Sequence, residues 1–425
     1  MNQQFKNTKI GEIPMDWEAD SIEQISNLIT DYVASGSFAT LKENVSVHNY
    51  KEYALYVRLV DIRKGLGHKG QKYVDKETFF YLKKSNLEEG DILLANIGAA
   101  VGETFIMPQI KEKATIAPNM ILIRINTNKC DNNYIHQHLS SEYGQKEITK
   151  IISGSGHPKI NKGDLKKLQI PLPPLPEQKK IAEILTTWDN AINKTTALIK
   201  AKEVLKKGLM QGLLLGKVQV RNGQKEEFKK TKLGVIPKHW TLKNAGDIFK
   251  SISIKNNENE ELLAATQAKG IIPKRLLETN YTMPSGSTNG YKLVQDGNFV
   301  ISLRSFQGGI EYSEYQGIIS PAYTILTNKI PIDKTFFRYF FKSTEFIGRL
   351  SVAVIGIRDG KQISFQDFSA MTFRFPPLEE QTKIANILET ADKEIDLLKK
   401  ELAKIEEQKR GLMQVLLTGK VRVKV

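Results

Sequence analysis

The chain is written twice, and that repetition constrains its architecture more than any other feature. Thr8-Lys9-Ile10-Gly11-Glu12-Ile13-Pro14, then Trp17, returns as Thr231-Lys232-Leu233-Gly234-Val235-Ile236-Pro237, then Trp240. From residue 8 to residue 231 the offset is 223. Further on, Pro173-Pro174-Leu175-Pro176-Glu177-Gln178-Lys179-Lys180-Ile181-Ala182 returns as Pro376-Pro377-Leu378-Glu379-Glu380-Gln381-Thr382-Lys383-Ile384-Ala385, and from 178 to 381 the offset is 203. The same 203 links Gly208-Leu209-Met210-Gln211 to Gly411-Leu412-Met413-Gln414, and Gly216-Lys217-Val218 to Gly419-Lys420-Val421. An offset that changes inside the repeat means that each half carries a divergent body of variable length ahead of a well-kept tail.

The tails read as long helices. In the second, Ile384, Leu388, Ala391, Ile395, Leu398, Leu402, Ile405, Lys409, Leu412 and Leu416 alternate steps of four and three, an apolar seam broken only at Lys409. The first gives Ile181, Leu185, Trp188, Ile192, Thr195, Ile199, Lys202, Lys206, Leu209 and Leu213, with Leu198 and Leu205 expected to cover the two lysine interruptions from a neighbouring face. Pro171, Pro173, Pro174 and Pro176 set the first helix start, Glu177 suits its first turn, and Gly216 and Gly419 are natural stops. About 40 residues at 1.5 Å each make a rod of roughly 60 Å. One apolar stripe per rod is buried most economically by pairing the rods. Chain order makes that pair antiparallel, with a body at each end and the C-terminal segment returning to the start. A tandem of independent domains with locally packed helices stays open as the simpler arrangement.

The expected fold is therefore α/β (α+β) globular domains in duplicate, joined by two long helices in an antiparallel coiled coil, pseudo-twofold and nearly circular. Its parts are a first body over 1–172, a first long helix over 173–217, a second body over 218–375, and a second long helix with its tail over 376–425. Within the bodies, Tyr53–Ile62, Asp91–Ala99, Met120–Ile125, Asn298–Leu303 and Tyr323–Leu326 read as strands. Asn132–Ile148 and Lys334–Leu350 each read as one helix.

Charge and composition narrow the partners. A net charge of +15 with a pI near 9.4 favours a polyanion such as nucleic acid, although simple solubility gives the same number. Cys130 is the only cysteine, which excludes an intramolecular disulfide or a cysteine-cluster zinc site. No apolar run approaches the roughly 18–20 residues of a membrane helix, and the first residues lack a secretory apolar core, so a cytoplasmic location is expected. No G-x-x-x-x-G-K-[S/T] loop cradles a nucleotide, and no Asn-Pro-Pro-aromatic or Asp-Pro-Pro-aromatic segment is present to hold an extruded adenine. His136 and His138, two apart, do not face one another on a helix and make a poor metal pair, so no metal site is expected. His157, in Gly154-Ser155-Gly156-His157-Pro158, reads either as a plain loop residue or as a DNA contact. Trp17, Trp188 and Trp240 read as packing anchors.

Two Pro-Pro-Leu-x-Glu-Gln-x-x-Ile-Ala segments, each opening a long helix, together with two Gly-x-Ile-Pro-x-x-Trp segments, make the whole chain resemble the specificity subunits of type I restriction–modification systems. The second proline segment departs from the first in its lead, Phe375-Pro376-Pro377. The resemblance implies a non-catalytic DNA-recognition subunit in which each body is a target-recognition domain reading half of a split double-stranded DNA site. It implies a helix pair that fixes the spacing and docks two adenine-methyltransferase subunits. S-adenosylmethionine would be bound by those partners and not by this chain, and a separate motor-nuclease subunit would cleave.

Reading both half-sites from one face of the duplex puts their centres one turn apart, ~34–36 Å. Arginine, asparagine and glutamine read base edges and lysine mainly phosphates. The candidates in the first body are Arg58, Arg63, Lys64, Lys69, Lys72, Asn96, Lys159 and Lys162; in the second they are Lys269, Lys274, Arg275, Arg304, Gln307, Arg358 and Lys361. Two other readings compete: a self-sufficient bipartite DNA methyltransferase or nuclease, and a structural coiled-coil scaffold. The first needs a cofactor loop and catalytic motif that are not seen, and the second leaves the divergent bodies and basic charge unexplained.

Overall fold

A computed structural model describes residues 4–218, 227–277, 287–354 and 363–424. The chain divides into two compact units, Met1–Thr196 with Lys400–Val425, and Ala197–Lys399, so the division falls inside each long helix. Those helices run Leu175–Leu214 and Leu378–Leu416.

The first unit is built on a four-stranded antiparallel sheet in the order Thr104–Ile106, Ile92–Ala95, Met120–Ile125, Ser26–Asp31. Met120–Ile125 is a central strand with apolar side chains on both faces, which is why its sequence runs apolar without alternation. Its one charge, Arg124, forks onto the buried Asp91 carboxylate, Nε–Oδ1 2.9 Å and Nη2–Oδ2 2.9 Å. A five-stranded mixed sheet follows, Val47–His48, Lys72–Val74, Ala54–Val57, Lys113–Ile116, Asn86–Leu87, in which Ala54–Val57 and Lys113–Ile116 are parallel. The second unit repeats the four-stranded sheet in the same order, Glu311–Tyr312, Phe299–Ile301, Thr324–Asn328, Phe249–Ile252. In place of the five-stranded sheet it has two separate antiparallel pairs, Leu263–Thr266 with Gly270–Pro273 and Lys292–Val294 with Gly317–Ile319. The divergence between the halves is concentrated in this second layer.

Each unit has its own core, and both take in segments of both long helices. Trp17, Ile123, Tyr134 and Ile170 pack in the first unit with Ile181 and Leu185 of one helix, Met413 and Leu416 of the other, and Leu417 just past its end. In the second unit Trp240 joins Phe249, Phe299, Phe337, Phe341 and Phe373, with Leu213 from the end of the first helix and Ile384 and Leu388 from the start of the second. A helix start packing beside a helix end makes the pair antiparallel within each unit. Of the seam residues, Ile181, Leu185, Ile199, Leu213, Ile384, Leu388, Ile395 and Leu416 are buried, and Trp188, Ile192, Leu209, Ala391, Leu398, Leu402, Ile405 and Leu412 are half-buried. Leu198 and Leu205 do not cover the lysine interruptions: both are exposed, at 44% and 54%.

The repeated motifs have mechanical roles. Gln178 accepts from the Asp131 amide (2.9 Å) and donates to the Pro173 carbonyl (2.9 Å), and Gln381 does the same with Asp333 (3.0 Å) and Pro376 (2.9 Å). Each bolts a long helix to the helix-capping aspartate of its own body. Gly419 and Gly216 end the helices with φ of +69° and lie against Trp17 and Trp240, where an added Cβ would come within 3.2 Å of the indole. In the first unit the tail is tied down by Arg422, whose guanidinium meets Asp16 (2.7 and 2.8 Å) and Glu177 (2.7 Å). In the second unit His239 occupies the place of Asp16 and pairs directly with Glu380 at 2.7 Å.

Four expected elements differ. Tyr53–Ile62 is a strand only over Ala54–Val57 and then turns into a helix, Leu59–Lys64. Asp61 accepts from the Arg58 amide at 3.0 Å, capping that helix, and Gly65 at φ +83° stops it. Asp91–Ala99 keeps strand geometry only over Ile92–Ala95. Asn132–Ile148 and Lys334–Leu350 are each two helices, broken before Glu142 and Thr344. Ser141 and Ser343 supply hydroxyls that accept from the Gly144 amide (3.0 Å) and the Phe346 amide (3.2 Å), restarting the helix in a new direction.

Candidate nucleic-acid interface

Strand register gathers the first-body candidates at one end of the sheets. The Val57 carbonyl accepts from Ala117 (2.9 Å), and the Asn96 amide donates to Asn119 (3.1 Å). Gly98 donates to Pro158 (3.0 Å) and Ile160 to Asn96 (2.9 Å). Lys162 reaches Asp31 at the end of its strand (2.9 Å), and Arg63 reaches Glu103, Nε–Oε2 3.1 Å. Residues 57–72, 95–103, 117–119 and 153–162 therefore meet on one face. The other end of Met120–Ile125 leads to Asn126, Asp131 and the Gln178 bolt. That strand of six residues places the loops about 20 Å from the helix attachment.

Not all of these cations are available to a ligand. Arg58 is a brace: its guanidinium holds the wholly buried Asp61 carboxylate (Nε–Oδ2 2.9 Å, Nη2–Oδ1 2.7 Å) and the Gly70 carbonyl (3.0 Å). His68 adds a bond to Asp61 at 2.9 Å, and Gln71 accepts from the Gly67 amide at 2.5 Å. Burial opposes ionisation of Asp61, and bonds from Arg58 and His68 more than reverse it, holding its carboxyl below the usual carboxylate range. Gly65, Gly67 and Gly70 sit at φ +83°, +89° and +98° with open space where a Cβ would be, so glycine is required by the backbone path alone. Lys72 bonds Asn49 and Lys162 bonds Asp31. Lys64, Lys69 and Lys159 are exposed and hold no side-chain bond or ion pair among the described residues. The result is a braced loop presenting free lysines to solvent.

Asn96 is half-buried, and its buried Oδ1 has no partner among the described residues. Beside it is a residue that sequence reasoning missed. Asn119 is exposed, at φ +70°, in the middle of the gathered loops. The Pro118-Asn119 turn dipeptide between two apolar strands was the signal that marks it. His157 is exposed on the adjoining loop.

The second body separates its candidates. Arg304 and Gln307 follow strand Phe299–Ile301 at the loop end, exposed. Arg275 is exposed and bonds Glu261 at 2.7 Å, and Lys274 is half-buried beside it. Gln267 lies against Gly308, next to Gln307, and Lys269 follows on the same hairpin, before Gly270, which abuts Tyr312. Lys269 lines a cleft of about 630 Å³ with Lys206, Glu389, Asp392 and Asp396 of the long helices. Arg358 and Lys361 lie outside the described residues.

Among the described residues no three His, Cys, Asp or Glu side chains are grouped to hold a metal, and no helix is long and apolar enough to cross a membrane. His136 sits 3.3 Å from the Thr104 carbonyl, while His138 is fully buried and burial pushes its imidazole down to about 4.

The family model for the type I restriction modification DNA specificity domain matches twice, over residues 15–203 and 236–407. Two relatives come from Methanocaldococcus jannaschii. The "Putative type I restriction enzyme MjaX specificity subunit" is 32% identical, covering 99% of this chain and 97% of that one. The type I restriction enzyme MjaVIII specificity subunit is 30% identical with the same coverage, 99% and 97%. In fold the chain is similar to the type I restriction-modification S subunit from M. genitalium, with a TM-score of 0.54 at 15% identity over 98% and 99% of the two chains. It is also similar to a chain from a study of complex assembly in the type I system, with a TM-score of 0.53 at 13% identity over 96% and 99%. Two matched domains, each opening on an Ile-Pro-x-x-Trp segment and closing into a long helix, and near-complete coverage of both relatives, lead to one conclusion: the chain belongs to the type I restriction–modification DNA specificity family.

Proposed function

We propose that each body reads one half of a split double-stranded DNA site, and that the paired long helices set the distance between the halves. The observation that carries this reading is the repeated four-stranded sheet. In each unit it holds constant elements, the Gln178 or Gln381 bolt, at one end, and sequence-divergent loops at the other. Recognition varies while the mounting does not. Free lysines at Lys64, Lys69 and Lys159 supply phosphate contacts, and Asn96, Arg304 and Gln307 supply base-edge donors and acceptors. The brace at Arg58 leaves the loop rigid, so little conformational entropy is lost on binding.

As a specificity subunit the chain recognises and its partners catalyse. It works with DNA and with the other subunits of a type I system. The helix pair docks two adenine-methyltransferase subunits, which carry S-adenosylmethionine, and the motor-nuclease joins through them. A duplicated scaffold offers nearly the same patch twice, which favours two copies. Native mass measurement of the chain co-expressed with its methyltransferase tests the assembly, with one specificity chain and two methyltransferases expected. A stable complex with one methyltransferase would contradict the duplicate docking. Duplex binding whose affinity does not fall with rising salt would contradict the lysine contacts.

A further inference from the structure

Of the lysines that interrupt the apolar seams, Lys202, Lys206 and Lys409, the last two are repeat equivalents, and each pairs with an aspartate of the other helix. In the first unit Lys409 bonds Asp189 across the helix pair at 2.6 Å. In the second Lys206 bonds Asp392. Asp189 and Asp392 are repeat equivalents, as are Lys206 and Lys409, each offset by 203, so one device has been kept in both units. The lysines are largely covered, at 15% and 23% exposure, and each aspartate is 35% exposed.

Each aspartate also holds a third element. Gln137, on the body helix Asn132–Ser140, donates to Asp189 Oδ2 at 2.5 Å. Tyr339, at the matching position of Lys334–Phe340, donates to Asp392 Oδ2 at 2.6 Å. The carboxylate is thus the joint of one long helix, the lysine of the other, and the recognition body.

An apolar heptad seam has a weakness that such a joint repairs. Shifting one helix by seven residues lays apolar on apolar again, so hydrophobic burial alone barely distinguishes the registers. A shift of seven residues either way would put Lys206 opposite Lys399 or Ala385, and Lys409 opposite Thr196 or Ala182. No carboxylate waits in either shifted register, and a half-buried ammonium would be left unpaired. The flanking pairs Lys202–Glu394 (2.6 Å) and Lys399–Glu203 (2.7 Å) are more exposed and have no counterpart in the first unit.

We propose that Asp189 and Asp392, each with its seam lysine, are positioning residues that fix helix register and body attachment together. The spacer length accepted in a split DNA site is then set by these two joints. This rests on the bipartite reading above.

The test uses the full chain in complex with its methyltransferase on a DNA library whose half-sites are separated by every spacer from short to long. In one variant both pairs are made apolar: Asp189→Leu, Lys409→Met, Lys206→Met and Asp392→Leu. Apolar replacement of a whole pair is often neutral for stability, and the bonds lost to Gln137 and Tyr339 cost less than an uncompensated charge, so folding is retained while the register restraint is lost. The expected result is unchanged half-site sequences with methylation of neighbouring spacer lengths raised at least tenfold relative to the preferred one. A folded variant with the same single spacer overturns the proposal. The reversed pair Lys409→Asp with Asp189→Lys guards against misfolding: each single change is expected to relax spacer choice and the double to restore it. Failure of the double to restore what the singles relax also overturns the proposal. If the unaltered complex methylates an unsplit motif, the bipartite reading itself falls, a different outcome from unaltered spacer choice in the variants.

Discussion

Replacing Arg58 with alanine separates a structural arginine from a DNA-reading one. The Asp61 carboxylate is completely covered and accepts from the Arg58 guanidinium twice, from the Arg58 amide, and from His68. Breaking a buried ion pair by removing one partner costs roughly 3–5 kcal/mol, because the remaining charge is left uncompensated. Two features reduce that figure here: Arg58 is 31% exposed, and His68 still donates to Asp61. About 2–3 kcal/mol is the resulting expectation. Urea denaturation of the full chain at neutral pH, followed by a probe in the first unit, measures it. Alanine at Lys69, in the same loop but unpaired, is expected to change stability by less than about 0.5 kcal/mol. Restoring apolar balance with Arg58→Met and Asp61→Leu together should recover much of the loss, as a double-mutant cycle would reveal. If Arg58→Ala unfolds at the same urea concentration as the unaltered chain, the brace is not holding the loop and the reasoning fails.

Other perturbations follow from the same structure. Gly419→Ala and Gly216→Ala should each lose about 2–3 kcal/mol, combining left-handed backbone strain with a Cβ pressed on a proline and an indole, and thermal unfolding checks both. His138 should make the first unit acid-sensitive. Its folded value is lowered to about 4 by burial, so its contribution is fully present above the unfolded value near 6.5 and is lost as pH falls from there towards 4. The loss should be on the order of 3 kcal/mol. His138→Phe, copying Phe340 at the matching position of the second unit, should flatten that dependence, and equal pH profiles would count against it. Alanine at Lys64, Lys69 and Lys159 together should lower the salt slope of duplex binding by about 3, one per phosphate contact, with half-site preference unchanged. Asn119→Ala should instead relax preference at a base of the first half-site, read by competition between single-base variants.

The sequence made much of this legible because duplication turns one observation into two. The two Trp positions, the two helix stops and the two proline-led helix starts were readable, since a feature kept at a fixed offset through divergent surroundings has a mechanical reason. What escaped reading was long-range or directional. Lys206 and Lys409 look like defects in a seam, because their aspartates lie some two hundred residues away. Leu198 and Leu205 fit an apolar period, yet only packing decides that they face outward. The run from Tyr53 to Ile62 is β-branched enough for a strand; the aspartate cap and Gly65 stop inside it carry the helix signal and are easily outweighed. Lys269 and Arg304 are equally basic in sequence, and only packing shows that Lys269 lines a cleft beside the long helices while Arg304 is exposed after its strand. Arg58 could not be told from a DNA contact without seeing that Asp61 is buried.

The central claim is that two bodies read two half-sites for a partner enzyme. Mapping methylated adenines on random-sequence DNA, after co-expression with the methyltransferase subunit, tests it most directly. The account predicts a motif in two parts with a fixed, unread spacer, and Arg304→Ala with Gln307→Ala altering one part only. A continuous motif, a change in both parts, or methylation by this chain alone would contradict it.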